Sequence, residues 1–153
     1  MFTLLACILT NPAVALQPDL TQRWVWDTKP TVEICPDSKM SIEQVFEAME
    51  YWTAEDVHIP IQHVRKVAHC NPTKLNVIQV HDHIDFDRDR FHAMTKVKWY
   101  YYDTQNSNTI YYIDRVRIQI PNDTLSNRSI VLHEFGHAMG LGHSDHPVMK
   151  KTH

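Results

Sequence analysis

Apolar residues recur at helical spacing in one stretch of the first half of the chain. They are Ile42, Val45, Phe46, Met49 and Trp52. Steps of three and four residues place these side chains on one face of a helix. Ser41 precedes the run, and Ser41 with Gln44 three residues later forms a capping box. We therefore predict a first long helix over Ser41–Glu55, with this apolar face buried.

Five other stretches carry the β-branched and aromatic residues that are typical of strands. The predicted strands are Thr31–Ile34, Ile59–Ala68, Lys74–His81, Ala93–Tyr102 and Thr109–Ile120. Pro36 follows the first strand, and turn-forming residues at Asp103–Asn108 separate the last two. The pattern therefore predicts a sheet that is built largely after the first helix.

A second helix is predicted over Leu125–Met139, after a break at Pro121. Asp123 or Thr124 can cap its first turn, because both carry a side-chain oxygen. The order of strand, helix, several strands and a final helix indicates an α+β fold, in which one sheet packs on two helices.

Composition limits the class of protein. The chain has 153 residues, which suffices for one domain. Its hydrophobic content of 43% and charged content of 22% are ordinary for a globular protein. The formal net charge is −3, and the lysines and arginines form no cluster. Nucleic acid is therefore not a predicted partner.

The first fifteen residues are predicted to be an export signal. Phe2–Leu9 is a short apolar run, and Ala13-Val14-Ala15 fits an A-x-A cleavage site. The run is too short to span a bilayer. We expect residues 16–153 to be the mature, secreted domain, extracellular or periplasmic. A lipidation box ending at Cys7 and a buried N-terminal strand remain as alternatives.

Cleavage after Ala15 would leave two cysteines, Cys35 and Cys70. In an exported chain this pair predicts one disulfide. It would close a long loop and stabilise the fold by roughly 3–4 kcal/mol in the chain-entropy model. Two buried thiols, or one thiol bound to a metal, are the alternatives.

The strongest chemical signal is the run His133-Glu134-Phe135-Gly136-His137-Ala138-Met139-Gly140-Leu141-Gly142-His143. His133 and His137 are four residues apart, so on a helix their imidazoles share one face and can bind one Zn²⁺. Gly140 suits the left-handed residue that ends a helix. The chain can then turn back and supply His143 as a third ligand. Three protein ligands leave a fourth position for water, as in a catalytic zinc site.

The full pattern H-E-x-x-H-x-x-G-x-x-H, followed by Met149, resembles the metzincin zinc peptidases. Ser144 directly after the third histidine makes the segment similar to the matrixin branch. The resemblance implies a zincin catalytic domain with a mixed, mostly parallel sheet, an antiparallel edge strand and two long helices. It also implies a Met-turn, in which Met149 packs beneath the metal.

The same resemblance implies a zinc metalloendopeptidase, and we expect it to be secreted and monomeric. A peptide or protein substrate would bind in extended form along the edge strand, which we predict to be Ala93–Tyr102. Zinc would activate a water, and Glu134 would be the general base that passes the proton to the leaving amine.

The end of the chain departs from the matrixin pattern. Only ten residues follow His143, so we expect a very short C-terminal subdomain without the segment that walls the S1′ pocket. The alternative function is therefore a non-catalytic or truncated zinc-binding domain that binds peptides or a protein partner. Retention of Glu134 favours the enzyme, because a structural zinc does not need this residue.

A second ion is a weaker prediction. Residues 81–89 read His-Asp-His-Ile-Asp-Phe-Asp-Arg-Asp, and such oxygen-rich segments can hold Ca²⁺ or, through His and Asp, a second Zn²⁺. The stretch lacks glycine, and its arginine offsets part of the acidic charge. A solvated loop without an ion is the alternative interpretation.

Overall fold

The computed structural model describes residues 24–57, 61–103 and 109–151. Its elements are β1 (Val25–Trp26), β2 (Thr31–Ile34), α1 (Ile42–Ala54), β3 (His63–Lys66), β4 (Val77–His81), β5 (Met94–Asp103), β6 (Thr109–Gln119) and α2 (Arg128–Ala138). The predicted export signal lies outside the described residues. Within the described part, no helix has the length and apolar character that crossing a membrane requires.

The strands form one mixed sheet. Strands β3, β2, β4 and β6 lie side by side in that order and run parallel, and β1 pairs in parallel with residues 112–113 of β6. Strand β5 runs antiparallel to β6 along its whole length. Among the described strands β5 pairs with β6 alone, so it forms one edge of the sheet.

The α+β class is confirmed, because the sheet packs on two helices around one core. Trp52 of α1 is fully buried, and its indole N–H donates to the carbonyl of Leu132 on α2, at 2.9 Å. Phe135 of α2 is also fully buried. The core further includes Val32, Ile34, Val45, Ala48, Ile78, Val80, Val116 and Ile118. This packing holds α2 rigidly across the sheet, which matters for the site that α2 carries.

The capping box of α1 is confirmed. The Ser41 hydroxyl accepts from the Gln44 N–H, and the Gln44 side chain accepts from the Ser41 N–H. The buried face differs in one residue from the prediction, because Phe46 is 48% exposed whereas Ala48 is fully buried. Gln44 also donates to the carbonyl of Leu125, so the start of α1 is tied to the segment that leads into α2.

Two predicted strands are longer than the observed ones. The strand predicted at Ile59–Ala68 is observed as His63–Lys66, because its partner β2 has only four residues to pair with. Residues 58–60 lie outside the described part. The strand predicted at Lys74–His81 begins at Val77, since Asn76 has a positive φ of 55°, which interrupts extended backbone.

The predicted start of the second helix is wrong. Neither Asp123 nor Thr124 is its N-cap; the helix begins at Arg128, and the side chain of Asn127 accepts from the N–H of Ile130. Residues 122–126 form turns instead. Leu125 is buried against the core in this turn. Its apolar side chain led to the prediction that it belongs to the helix, although it lies before the helix start.

Candidate metal centre and active site

Helix α2 and the turn after it bring three histidines together. His133 and His137 are partly buried on one face of α2, with ring centroids 4.6 Å apart. His143 is more exposed, and its ring centroid lies 5.3 Å from that of His133 and 4.8 Å from that of His137. One nitrogen of each ring falls within 4.8 Å of the others.

Gly140 produces the reversal that delivers His143. Its φ is +90°, which an L side chain rarely adopts. The N–H of Gly140 donates to the His137 carbonyl, and the N–H of Leu141 donates to the Gly136 carbonyl. These two bonds are a Schellman motif, which ends the helix and turns the chain back over it.

Two backbone carbonyls determine the tautomer of the helical histidines. His133 Nδ1 lies 2.6 Å from the carbonyl of Val148, and His137 Nδ1 lies 2.8 Å from the carbonyl of Leu141. A carbonyl oxygen can only accept, so both Nδ1 atoms carry hydrogen. In the neutral ring Nε2 is then an unprotonated acceptor. Burial lowers the pKa of His137 to about 4, which keeps this imidazole neutral.

This arrangement suits a zinc ion. The Nε2 atoms of His133 and His137 lie 3.0 Å apart, and both are acceptors. Two lone pairs that face each other repel unless a cation lies between them. In a tetrahedral site with Zn–N bonds of about 2.0–2.1 Å, two nitrogens are roughly 3.4 Å apart. The three ring nitrogens therefore form a donor set that suits Zn²⁺, and the two helical nitrogens already lie close to tetrahedral spacing.

Glu134 lies between α2 and the edge strand. Its side chain is almost fully buried, and its Oε2 accepts from the hydroxyl of Thr95 on β5, at 2.6 Å. Burial raises the pKa of Glu134 to about 7, and the hydrogen bond from Thr95 partly opposes this rise. A carboxyl group with a pKa near neutrality can both take and give a proton at pH 7.

Met149 packs against α2 at Gly136. A Cβ added at Gly136 would lie 2.5 Å from the Met149 sulfur and 2.8 Å from the Trp52 ring, so only glycine leaves room for this contact. The turn before Met149 is closed by bonds from Ser144 N–H to the Met149 carbonyl and from Met149 N–H to the His146 carbonyl. The same turn presents the Val148 carbonyl that orients His133.

Sequence reasoning missed His146. This residue is 3% exposed, its Nδ1 accepts from the Val148 N–H, and its ring centroid lies 5.3 Å from that of Trp52. It therefore holds the turn in the shape that brings the Val148 carbonyl to His133. Its position three residues after His143 was the available signal, but spacing could not distinguish a support from a ligand.

Sequence reasoning also missed Thr95, for a different reason. Thr95 and Glu134 are 39 residues apart in the chain, and no local pattern connects them. The strand that carries Thr95 was predicted, and the alternation of side chains along a strand tells on which face of the sheet the Thr95 side chain lies. Which helix residue this face would meet depends on how α2 crosses the sheet.

Cys35 and Cys70 form a disulfide, with Cα atoms 5.7 Å apart.

The loop after β4 forms ion pairs rather than a metal site of its own. Asp85 pairs with Lys96, and Arg88 pairs with Asp123. Within residues 81–89 of the described chain, His81 alone belongs to a group of three close metal-ligating side chains, and its partners there are Cys35 and Cys70. The oxygen-rich ion site predicted for this stretch therefore gains no support, whereas His81 lies in a separate group.

Comparison with known proteins places this site in a family. No curated protein matches the chain. The sequence model of the matrixins matches residues 31–152, which includes β2, both helices, the three histidines, Glu134 and Met149. The match covers most of the 153 residues, so it includes the sheet as well as the histidine motif. The chain therefore belongs to the matrixin family, and it has the α+β, metzincin-like fold that the sequence predicted.

Proposed function

We propose that this chain is a secreted zinc metalloendopeptidase, which hydrolyses peptide bonds with Glu134 as general base. The observation that carries the proposal is the placement of Glu134. It is a buried carboxyl group, directly after the first histidine ligand and against the edge strand. A metal site with a purely structural role has no use for such a group.

His133, His137 and His143 would hold the zinc through their ring nitrogens. When bound, zinc supplies Lewis acidity toward the scissile carbonyl and lowers the pKa of a coordinated water toward 7. The Val148 and Leu141 carbonyls keep the ligand rings oriented, and such supporting partners affect metal affinity nearly as strongly as the ligands do.

Glu134 would take a proton from the attacking water and deliver it to the leaving amine. Its pKa of about 7 suits both steps, because an efficient acid–base group has a pKa near the working pH. The Thr95 hydroxyl donates to Oε2 and thereby orients the carboxylate, so Oε1 would be the oxygen that accepts the proton.

The substrate would bind as an extended peptide along β5. The backbone of β5 on the side away from β6 has no partner among the described strands, so a peptide can add there as a further strand. Thr95 lies on this strand and contacts Glu134, so a peptide paired with β5 passes close to the catalytic carboxylate.

We further propose that the protein acts as a monomer outside the cytoplasm, extracellular or periplasmic. The proposed location is supported by the apolar run Phe2–Leu9, the A-x-A sequence Ala13-Val14-Ala15 and the Cys35–Cys70 disulfide, which oxidising compartments favour.

The test compares the wild-type protein with Glu134→Gln, which keeps the size of the side chain but removes the base. A general protein substrate is incubated with each, with added zinc or with a chelator, and bound zinc is measured in parallel. We expect wild-type activity that the chelator abolishes. Glu134→Gln should bind zinc normally but lose roughly 10²- to 10⁴-fold in kcat/KM. Stoichiometric zinc in a folded wild-type protein without turnover would reject the enzyme in favour of a peptide-binding zinc domain.

A further inference from the structure

A second group of metal-ligating side chains lies away from the three-histidine centre. Cys35 follows the carboxyl end of β2, His81 ends the neighbouring parallel strand β4, and Cys70 lies in the loop between β3 and β4. Their ligand atoms all fall within 4.8 Å of one another. The contact between Cys35 Sγ and His81 Nε2 is 3.2 Å.

Backbone pairing between β2 and β4 continues up to this group. The Cys35 N–H donates to the Val80 carbonyl, so the end of β2 is bonded to the residue before His81. Cys35 is 1% exposed, whereas Cys70 and His81 are partly exposed. Cys70 and His81 are therefore the members of the group that a reductant or a metal ion can reach.

Asp37 orients the imidazole of His81. Its Oδ1 lies 3.5 Å from His81 Nδ1, and its Oδ2 accepts from the N–H groups of Asp82 and His83. The carboxylate thus lies beside one ring nitrogen, while Nε2 faces Cys35. A carboxylate behind a histidine whose other nitrogen faces the metal is the usual supporting arrangement of zinc sites.

We propose that Cys35, Cys70 and His81 form a second zinc site when their disulfide is reduced. A reductant, such as a dithiol or a phosphine, supplies the two electrons that open the S–S bond, and each sulfur takes up one proton. Zinc then binds two thiolates and one imidazole, and the two thiol protons are released.

The chemistry of the set favours zinc over Ca²⁺ and Mg²⁺. Thiolate and imidazole are the ligands of structural zinc, with Zn–S about 2.3 Å and Zn–N about 2.0–2.1 Å, whereas Ca²⁺ and Mg²⁺ require oxygen. In a tetrahedral site sulfur and nitrogen are roughly 3.6 Å apart, which is close to the observed contact of 3.2 Å between Cys35 and His81. This site is independent of the proposed peptidase activity.

The experiment counts zinc per chain. Full-length protein carrying Cys7→Ser is used, so that Cys35 and Cys70 are its only cysteines. After saturation with zinc and removal of the excess, native mass spectrometry is recorded before and after reduction by a phosphine, which adds no competing thiol. We expect one zinc in the oxidised protein and two in the reduced protein. With Co²⁺ as a probe, only the reduced protein should show thiolate-to-metal charge-transfer absorption.

His81→Gln is the decisive variant, because it keeps both cysteines. We expect it to weaken binding of the second zinc at least tenfold while zinc at the three histidines is unchanged. Equal affinity in wild type and His81→Gln would overturn the proposal, since two thiols alone would explain the binding. A reduced protein that takes up no second ion would overturn it too.

Folding is controlled in the same samples by circular dichroism. Reduction is carried out in the presence of zinc, because an ion that binds the folded protein stabilises it. Reduced wild type should melt at a higher temperature with zinc than the double variant Cys35→Ser/Cys70→Ser does. Unfolding of the reduced wild type despite excess zinc would also contradict the proposal.

Discussion

At the scale of single residues, hydrogen bonds behind the functional groups determine what those groups can do. The Val148 and Leu141 carbonyls set which nitrogen of His133 and His137 can bind metal. The Thr95 hydroxyl fixes the orientation of the Glu134 carboxylate. None of these partners needs to touch the substrate or the metal to matter for activity.

Replacing Thr95 should therefore impair catalysis without affecting metal binding. Thr95→Val removes the hydroxyl at nearly constant volume, so Glu134 loses the bond that orients it. We expect kcat to fall roughly tenfold to a hundredfold, with KM and zinc content nearly unchanged. Thr95→Ser, which keeps the hydroxyl, is the matched control. Full activity in Thr95→Val would mean that Glu134 is oriented by other contacts.

Glu33 provides a residue-scale prediction about pH. It is 2% exposed on the sheet face away from the helices, and its carboxylate accepts from Lys74, Arg65 and Gln79. Burial alone would raise the pKa of Glu33, but these three bonds together lower it below its usual value of 4.5. The ionised carboxylate therefore stabilises the folded state fully above about pH 4.5, and this contribution is lost as the pH falls through the lowered pKa.

The measurement is the free energy of unfolding of Glu33→Gln from pH 7 to pH 3. At pH 7 we expect a loss of about 1–2 kcal/mol, because one buried ionic hydrogen-bond network is weakened. The difference from wild type should shrink as the pH falls below 4.5. Glu50→Gln, at an exposed position of α1, serves as control and should show little change. A difference that is constant across this range would exclude the ionic explanation.

At the scale of elements, glycines let α2 meet its neighbours. Gly136 lies where Met149 and Trp52 press against the helix, and Gly140 lies where the backbone of Trp24 crosses the helix end. The indole N–H of Trp26 also donates to the Ala138 carbonyl, so β1 covers the last turn of α2. The site depends on these close approaches, because they set where the helix ends and where the turn that carries Met149 begins.

Alanine at Gly136 should destabilise the protein although alanine favours helices. The gain in helix propensity is about 1 kcal/mol. The new Cβ would meet the Trp52 ring at 2.8 Å, and this ring is held by its bond to Leu132, so overpacking should cost about 1–3 kcal/mol. We expect a net loss of about 1 kcal/mol in chemical denaturation. Ser129→Ala, at an exposed position of the same helix, should change stability by less than about 0.5 kcal/mol.

Alanine at Gly140 should be more damaging than alanine at Gly136. Its φ of +90° strains any L side chain, and its Cβ would lie 2.0 Å from the Trp24 carbonyl oxygen, where backbone must move. We expect a loss of about 3 kcal/mol and weaker zinc binding, because the reversal that delivers His143 is disturbed. Equal stability of the two alanine variants would show that the Schellman turn tolerates other geometries.

At the scale of the whole molecule, the three histidines lie on two different segments, the helix and the turn that follows it. His133 and His137 belong to α2, whereas His143 belongs to the segment that continues into the turn at Met149. Zinc that binds all three should therefore stabilise the folded state as a whole, since the unfolded chain does not hold the three rings together.

Removal of zinc should lower the melting temperature. At a free zinc concentration 1,000 times Kd the stabilisation is about 4 kcal/mol, which corresponds to roughly 10 °C for a domain of this size. Calorimetry with zinc and with a chelator measures the difference. His143→Ala should still fold, because His143 is exposed and contributes little to the core. This variant should lose most of the stabilisation by zinc. A melting temperature unaffected by the chelator would argue against zinc binding.

Much of the site could be predicted because its residues are close in sequence. Helical periodicity places His133 and His137 on one face, and a glycine at the helix end allows His143 to return. The sequence by itself thus predicted the group of three histidines, the carboxyl group next to the first of them and the order of the long helices and strands, and it favoured the Cys35–Cys70 disulfide over two free thiols. Each of these follows from local periodicity, residue chemistry or elimination.

The tertiary structure alone decided which distant groups support the site. Asn127 caps α2, and the helix starts only at Arg128, because Leu125 before it is buried in the core; helix propensity alone could not place this start. Thr95 reaches Glu134, and His81 reaches Cys35, only because the sheet brings its strands beside α2 and beside each other. Such contacts depend on packing between elements, and packing is a property of the whole folded chain that no local pattern encodes.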